Sequence, residues 1–244
     1  MRQAADITID DARELVANGS LWPRLRDFLW DFAPQVHPSW IEDLKLSNSQ
    51  TFTLSHSQTL TLSNSHTFKR FLLSSLGVEP CFHSFPKDDC SRLLLLDGTT
   101  LESLVKWLGA LACADVLRGV TDGKTVRALK AALPGVYPEV FGYTAYFKGN
   151  AGKPEAESRD VEKSNVGSRA SNVEGIIAAG WDILSASLSH LPESLLRRLA
   201  LKLPKSFQPL DGRQPTADVR AFGDRMISKL LKLKFPEAYS LCCS

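Results

Sequence analysis

The chain has 244 residues, 43% of them hydrophobic and 23% charged, enough to bury a substantial core. A net charge of +2 is too balanced for a protein built around nucleic-acid phosphates, which require a strongly basic face. The five cysteines (Cys81, Cys90, Cys113, Cys242 and Cys243) are odd in number and irregular in spacing, which suits a reducing compartment better than a secreted disulfide scaffold. Residues 1–20 hold four acids and no apolar signal-peptide stretch. No run reaches the roughly 18 apolar residues of a membrane span. A cytoplasmic protein is expected, one that meets the membrane only through partners.

The N-terminal part reads as short helices. Asp10 is placed to cap a helix running to Ala17 and closed by Gly19. From Ser20 onward, Trp22, Leu25, Phe28 and Leu29 share one helical face. Pro38 disfavours helix at His37. Ser39 with Glu42 then predicts a capping box for a short helix bearing Trp40, Ile41 and Leu44. Residues 46–68 are an eight-residue repeat, LSNSQTFT, LSHSQTLT, LSNSHTF. Its alternation of apolar and hydroxyl residues suits strands, so a small β-hairpin insertion near residues 46–68 is the one β element allowed. A tandem-expanded surface loop is the plainer reading, since three copies cannot build a solenoid core. A helix over Phe68–Leu76, with Phe68, Phe71, Leu72 and Leu76 apolar, ends at Gly77. Residues 79–91 form a loop, and LLLLD at 93–97 is a short buried strand or the lead-in to the next helix.

The centre of the chain is its most apolar part. Thr99 and Glu102 predict a capping box. Leu101, Leu104, Val105, Leu108, Leu111 and Ala112 make a wide stripe that Trp107, Ala110 and Ala114 extend, as in a helix at the heart of a core. Cys113 sits in this helix as a free buried cysteine would, and Gly119 ends it. Asp122 then caps a helix with Val126, Leu129 and Leu133 inward and Lys124, Arg127 and Lys130 outward. Pro134-Gly135 stops that helix and Pro138 starts another. Residues 148–172 are polar, charged and free of aromatics, the composition of a linker. Asn172 caps a helix whose inner face holds Ile176, Ile177, Gly180, Ile183, Leu184, Leu188 and Leu191. Pro192 opens the next at its first position. Thr216 caps a last helix through Val219, Phe222, Met226, Leu230 and Leu233. The basic residues of the C-terminal third, among them Arg197, Arg198, Lys202 and Lys205, read as a solvated face.

No constellation points to bond chemistry. Gly123-Lys124-Thr125 lacks the full phosphate-loop spacing and follows a helix rather than a strand, so it reads as a helix cap. Cys81, His83 and Cys90 lack the paired spacing and fourth ligand of a structural zinc site. Cys242-Cys243 stand in the wrong place for prenylation, and there is no G-x-S-x-G elbow. No catalytic residue, cofactor or metal is assigned.

Two blocks carry a resemblance. WLG at Trp107–Gly109, VLRGV at Val116–Val120 and DGKTVRALKAAL at Asp122–Leu133, followed by an aromatic segment, form the first. GWDILSASLSHLPESLLRRLALKLP at Gly180–Pro204 is the second. Their order and spacing resemble the SctK family of type III secretion injectisomes, with YscK, MxiK and OrgA as relatives. The resemblance implies a non-enzymatic adaptor of the cytosolic sorting platform. Such a protein links the cytoplasmic domain of the inner-membrane ring protein SctD to the SctQ pod, and so to the SctL stator and SctN ATPase. Exposed Trp22 or Trp40, or the basic stripe Lys124, Arg127 and Lys130, are the candidate partner-binding residues.

The expected fold is mainly α: a compact multi-helix domain with an N-terminal part (1–147), a linker (148–172) and a C-terminal part (173–244) packing on the first, since each half offers a wide apolar face. Readings from other classes are a helix-turn-helix-like DNA-binding regulator, with Lys124, Arg127 and Lys130 toward DNA, and an enzyme with a dispersed site. Overall charge balance and the buried character of the first helix weigh against DNA.

Overall fold

The computed structural model describes residues 21–47, 66–78, 91–148, 172–207 and 217–242. The Asp10 helix, the body of the octad repeat, the loop with Cys81, His83 and Cys90, the polar stretch after Lys148 and the Thr216 cap lie outside the described residues. Those described form eleven α-helices and three short 3-10 segments, with no strand. The protein is mainly α, as the hydrophobic periodicity predicts. We number the helices α1 (Leu21–Leu29), α2 (Pro38–Ser47), α3 (His66–Ser75), α4 (Gly98–Ala112), α5 (Ala114–Arg118), α6 (Gly123–Ala132), α7 (Val140–Lys148), α8 (Val173–Ser187), α9 (Glu193–Lys202), α10 (Ala217–Lys234) and α11 (Pro236–Cys242). Both ends of the octad repeat are helical, because α2 continues through Ser47 and α3 begins at His66. The chain makes two compact units, each drawn from separated parts of the sequence. The first comprises residues 1–101, 190–205 and 240–244, and the second residues 102–189 and 206–239.

The first unit is organised by cations on α9. The last carbonyls of any helix lack an intrahelical partner and carry the negative end of its dipole. Arg198 is 1% exposed and donates through Nη1 to the carbonyls of Phe28 at 2.5 Å and Leu29 at 3.2 Å, the end of α1. Its guanidinium carbon lies 5.8 Å from the centre of the Phe28 ring and 5.3 Å from that of Phe32, where the π faces favour a cation. Arg197 Nε donates to the carbonyl of Leu76 at 2.7 Å, just past α3. There Gly77 takes φ +63°, which lets Val78 N–H reach back to Leu73 and close the helix. Lys202 Nζ donates to the carbonyls of Leu94 at 2.6 Å and Leu96 at 2.9 Å, ending the 3-10 turn Ser91–Leu95. LLLLD is therefore the lead-in to the next helix rather than a strand, with Asp97 placed just before α4. It is a tight turn whose Leu93, Leu94, Leu95 and Leu96 are all buried. The expected solvated basic face is corrected at Arg198 and Lys202, which are among the most buried side chains.

Burial pushes the Lys202 ammonium down from 10.5 to about 7, against the pull of Asp97 and with help from Arg24. A neutral amine keeps two N–H groups, one for each carbonyl, so the contacts survive loss of the proton. Unfolded, the same lysine holds its proton up to about pH 10.5. Between these values the unfolded chain binds the extra proton, so stability rises with pH; below about 7 the full cost of the buried charge remains. Urea melts at pH 7 and pH 9 should show wild type gaining about 1.4 kcal/mol per pH unit relative to Lys202→Met. Parallel pH profiles for the two proteins would refute a titrating Lys202.

Two expected caps give way to stronger neighbours. At α4 the cap is Asp97 rather than a Thr99–Glu102 box. Asp97 accepts from Thr100 N at 2.8 Å and from both threonine hydroxyls. Partial burial opposes ionisation, but these hydrogen bonds win and hold the carboxyl at about 2. Glu102 instead pairs with Lys106 at 2.7 Å. Asp97→Ala should cost about 1 kcal/mol in a denaturant melt, with the difference from wild type shrinking as pH falls below about 4 toward 2, where the carboxylate is lost. At α2 the helix starts at Pro38, and His37 rather than Ser39 precedes it. Ser39 N–H points at His37 Nδ1 at 3.2 Å, while Ser39 Oγ accepts from Lys205 N at 3.1 Å. The α3 stripe is also narrower than expected, with Leu72 and Leu76 buried but Phe71 51% exposed.

The second unit holds the core part of α4 together with α5–α8 and α10. Leu104, Val105, Leu108 and Ala110 are wholly buried, and Trp107 nearly so. Only Ala112 of the expected stripe turns outward. The helix breaks at Cys113, a free cysteine whose burial pushes its thiol up to about 11, so it is inert packing. α4 and α8 meet backbone to backbone. A Cβ on Gly109 would sit 1.9 Å from the Ile176 carbonyl oxygen, and a Cβ on Gly180 would sit 2.0 Å from that of Val105. Only glycine admits such an approach. Along α10, Met226, Ile227, Leu230 and Leu231 are buried, while Leu233, expected inward, is 40% exposed. The end of α10 sends Lys234 over the rings of Trp107 and Tyr143, at 4.8 and 4.5 Å, and onto the Glu139 carboxylate.

Candidate partner-docking surface

α6 is a ten-residue helix with basic side chains and no acid. Asp122 caps it as predicted, accepting from Thr125 N at 2.8 Å and Thr125 Oγ1 at 2.7 Å. Those hydrogen bonds hold its carboxyl below the ordinary carboxylate range. Gly123-Lys124-Thr125 is thus a helix start whose free amide is already taken. Leu129 and Leu133 are buried, and Val126 is half-buried. Lys124, Arg127 and Lys130 are exposed, as their spacing requires. Among the described residues no carboxylate lies within ion-pair distance of any of the three. Arg127 Nε donates only to the carbonyl of Gly123, at 3.1 Å. Three other cations of this unit do have carboxylate partners: Lys106 meets Glu102, Arg118 meets Asp115 and Lys234 meets Glu139.

Beside this face α6 and α8 enclose an open cleft of about 470 Å³. Lys124, Thr125, Ala128 and Leu129 line it from α6, and Val173 and Glu174 line it from the start of α8. Asn172 also lines it and caps α8 through its side-chain oxygen, which accepts from Gly175 N at 2.8 Å.

The tryptophans are placed differently. Trp40, on α2, is half-buried; its indole N–H donates to the Leu203 carbonyl at 3.0 Å, and Lys205 Nζ lies 5.9 Å from its ring. Trp40 therefore ties α2 to the end of α9 and leaves only part of its ring to meet a partner. Trp22 falls on α1, and its side chain lies outside the described residues. Sequence reading did not single out Trp30, 52% exposed at the end of α1, because helical periodicity alone does not say where a short helix stops.

The profile of a family described as YOP proteins translocation protein K (YscK) matches residues 30–244. The chain belongs to the YscK family. It is accordingly a type III secretion protein. No curated relative and no solved structure matches it. The blocks that suggested this family have plain physical roles. Gly109 of WLG and Gly180 of GWDIL are the two sides of the α4–α8 crossing. Arg197, Arg198 and Lys202 of LLRRLALKLP close helix ends in the first unit. The YscK pattern in this chain is thus largely a packing pattern, and no described helix is long and apolar enough to cross a membrane.

Proposed function

We propose that this YscK-family chain is a non-enzymatic adaptor of the injectisome sorting platform. It links the cytoplasmic domain of SctD to the SctQ pod, and through SctQ to the SctL–SctN ATPase complex. It works in the bacterial cytoplasm and reaches the inner membrane through SctD. The family match over residues 30–244 carries this reading. The basic face of α6 supports it, since Lys124, Arg127 and Lys130 are exposed and meet no carboxylate among the described residues. Purified full-length chain should retain both the SctD cytoplasmic domain and SctQ from the same secretion system in a pull-down. Retention of neither would overturn the adaptor role.

A further inference from the structure

We propose that the α6–α8 cleft and the basic face beside it form one docking site for an acidic protein segment that carries an apolar anchor. The proposal rests on the adaptor reading and adds which surface binds and what chemistry it selects. Three observations carry it. Lys124, Arg127 and Lys130 stand exposed with no described carboxylate to meet them. Ala128, next to Arg127, and Ala131, next to Lys130, are both exposed and let another backbone come close to α6. Lys124 also lines the cleft, where Leu129 and Val173 suit an apolar side chain. A carboxylate partner answers the charge, and an aliphatic side chain answers the cleft.

The acids nearby refine this choice. Asp122 is committed to Thr125, so it does not cancel Lys124. Glu174 lines the cleft from α8, so the carboxylates of a bound segment must lie toward α6, and its other edge must offer a donor or cation. That asymmetry fixes orientation. It also disfavours a nucleic acid, whose phosphates would meet Glu174 as well as the cations. The ends of α6 and α8 are not themselves anion sites, because Asp122 and Asn172 already hold their amides.

The test uses full-length protein and two variants, K124E/R127E/K130E for the charge and Ala128→Trp for the cleft. All four positions are solvent-facing, and circular dichroism checks that each variant keeps wild-type helicity. A fluorescein-labelled Glu/Leu peptide, the same peptide with Lys for Glu, and a DNA duplex serve as probes in anisotropy titrations. The acidic peptide should bind, weaken with added salt, and lose at least about tenfold affinity in either variant. The Lys peptide should not bind. Absent binding of the acidic peptide, unchanged affinity in both variants, or tighter binding of DNA would each overturn the proposal. The same variants then enter the SctD and SctQ pull-down. If wild type retains those partners and the variants retain them equally, the site is wrong while the adaptor role stands. If wild type retains neither, the adaptor role falls, and the peptide titration decides the site alone.

Discussion

A Gly180→Val substitution will leave little folded protein, and Gly180→Ala will lower stability by about 3 kcal/mol or more. The reason is local and steric. The first added carbon arrives 2.0 Å from the Val105 carbonyl oxygen and 2.8 Å from Gly109 N, where ordinary contact needs well over 3 Å. Both obstacles are backbone, so no rotamer change relieves them. α8 must move away from α4 by about 1 Å or more, which opens the core around Val105 and Leu108. Overpacking commonly costs about 1–3 kcal/mol, and a rigid obstacle puts this site at or above the upper end. Gly109→Ala should behave alike, because its Cβ meets the Ile176 carbonyl. Gly142 on α7 is the control: it has open space around it, and Gly142→Ala should be neutral or slightly stabilising. Urea melts decide the matter. Equal midpoints for Gly180→Ala and Gly142→Ala would show that α4 and α8 do not touch as described.

The second large effect is at Arg198. Removing its side chain strands the Phe28 and Leu29 carbonyls at the end of α1, each a buried acceptor, and leaves a void against Phe28 and Phe32. We expect Arg198→Ala to cost about 3–5 kcal/mol. Arg198→Lys should recover only part, since an ammonium on a shorter side chain lacks the flat guanidinium that lies over the Phe28 and Phe32 rings. Arg26→Ala removes a solvent-exposed pair with Asp27 and should stay within about 0.5 kcal/mol of wild type. A chemical-denaturation series over these variants measures the contrast. Similar losses at Arg26 and Arg198 would refute the capping role.

The helices were readable wherever one residue carried two signals. Asp122 and Asn172 stand just before apolar periodicity begins, and both are caps. Lys124, Arg127 and Lys130 fall opposite Leu129 and Leu133, and they are exposed. Reading failed where a residue's partner lay far along the chain. Nothing local marks Arg198 as buried, because its acceptors are on α1, 169 and 170 positions away. Hydropathy scores an arginine as surface, while an unfilled helix end is visible only in three dimensions. The same holds for Asp97, which displaced a well-formed Thr99–Glu102 motif by reaching the first amide sooner. The cleft beside α6 had no sequence signature at all, since its walls come from residues 124–129 and 172–174.

The long reach of α9 also orders events during synthesis. Its cations cross 121 positions to Leu76, 108 to Leu94 and 170 to Phe28. Helices α1 and α3 and the Ser91–Leu95 turn emerge from the ribosome with open C-terminal ends and half-covered leucines. They wait for residues 193–202 before those ends can close, so the first unit is completed late and in a single step rather than piece by piece. A nascent chain stalled just before Glu193 should therefore be protease-sensitive across α1, α3 and the Ser91–Leu95 turn, and one stalled well beyond Lys205 should be cut more slowly there.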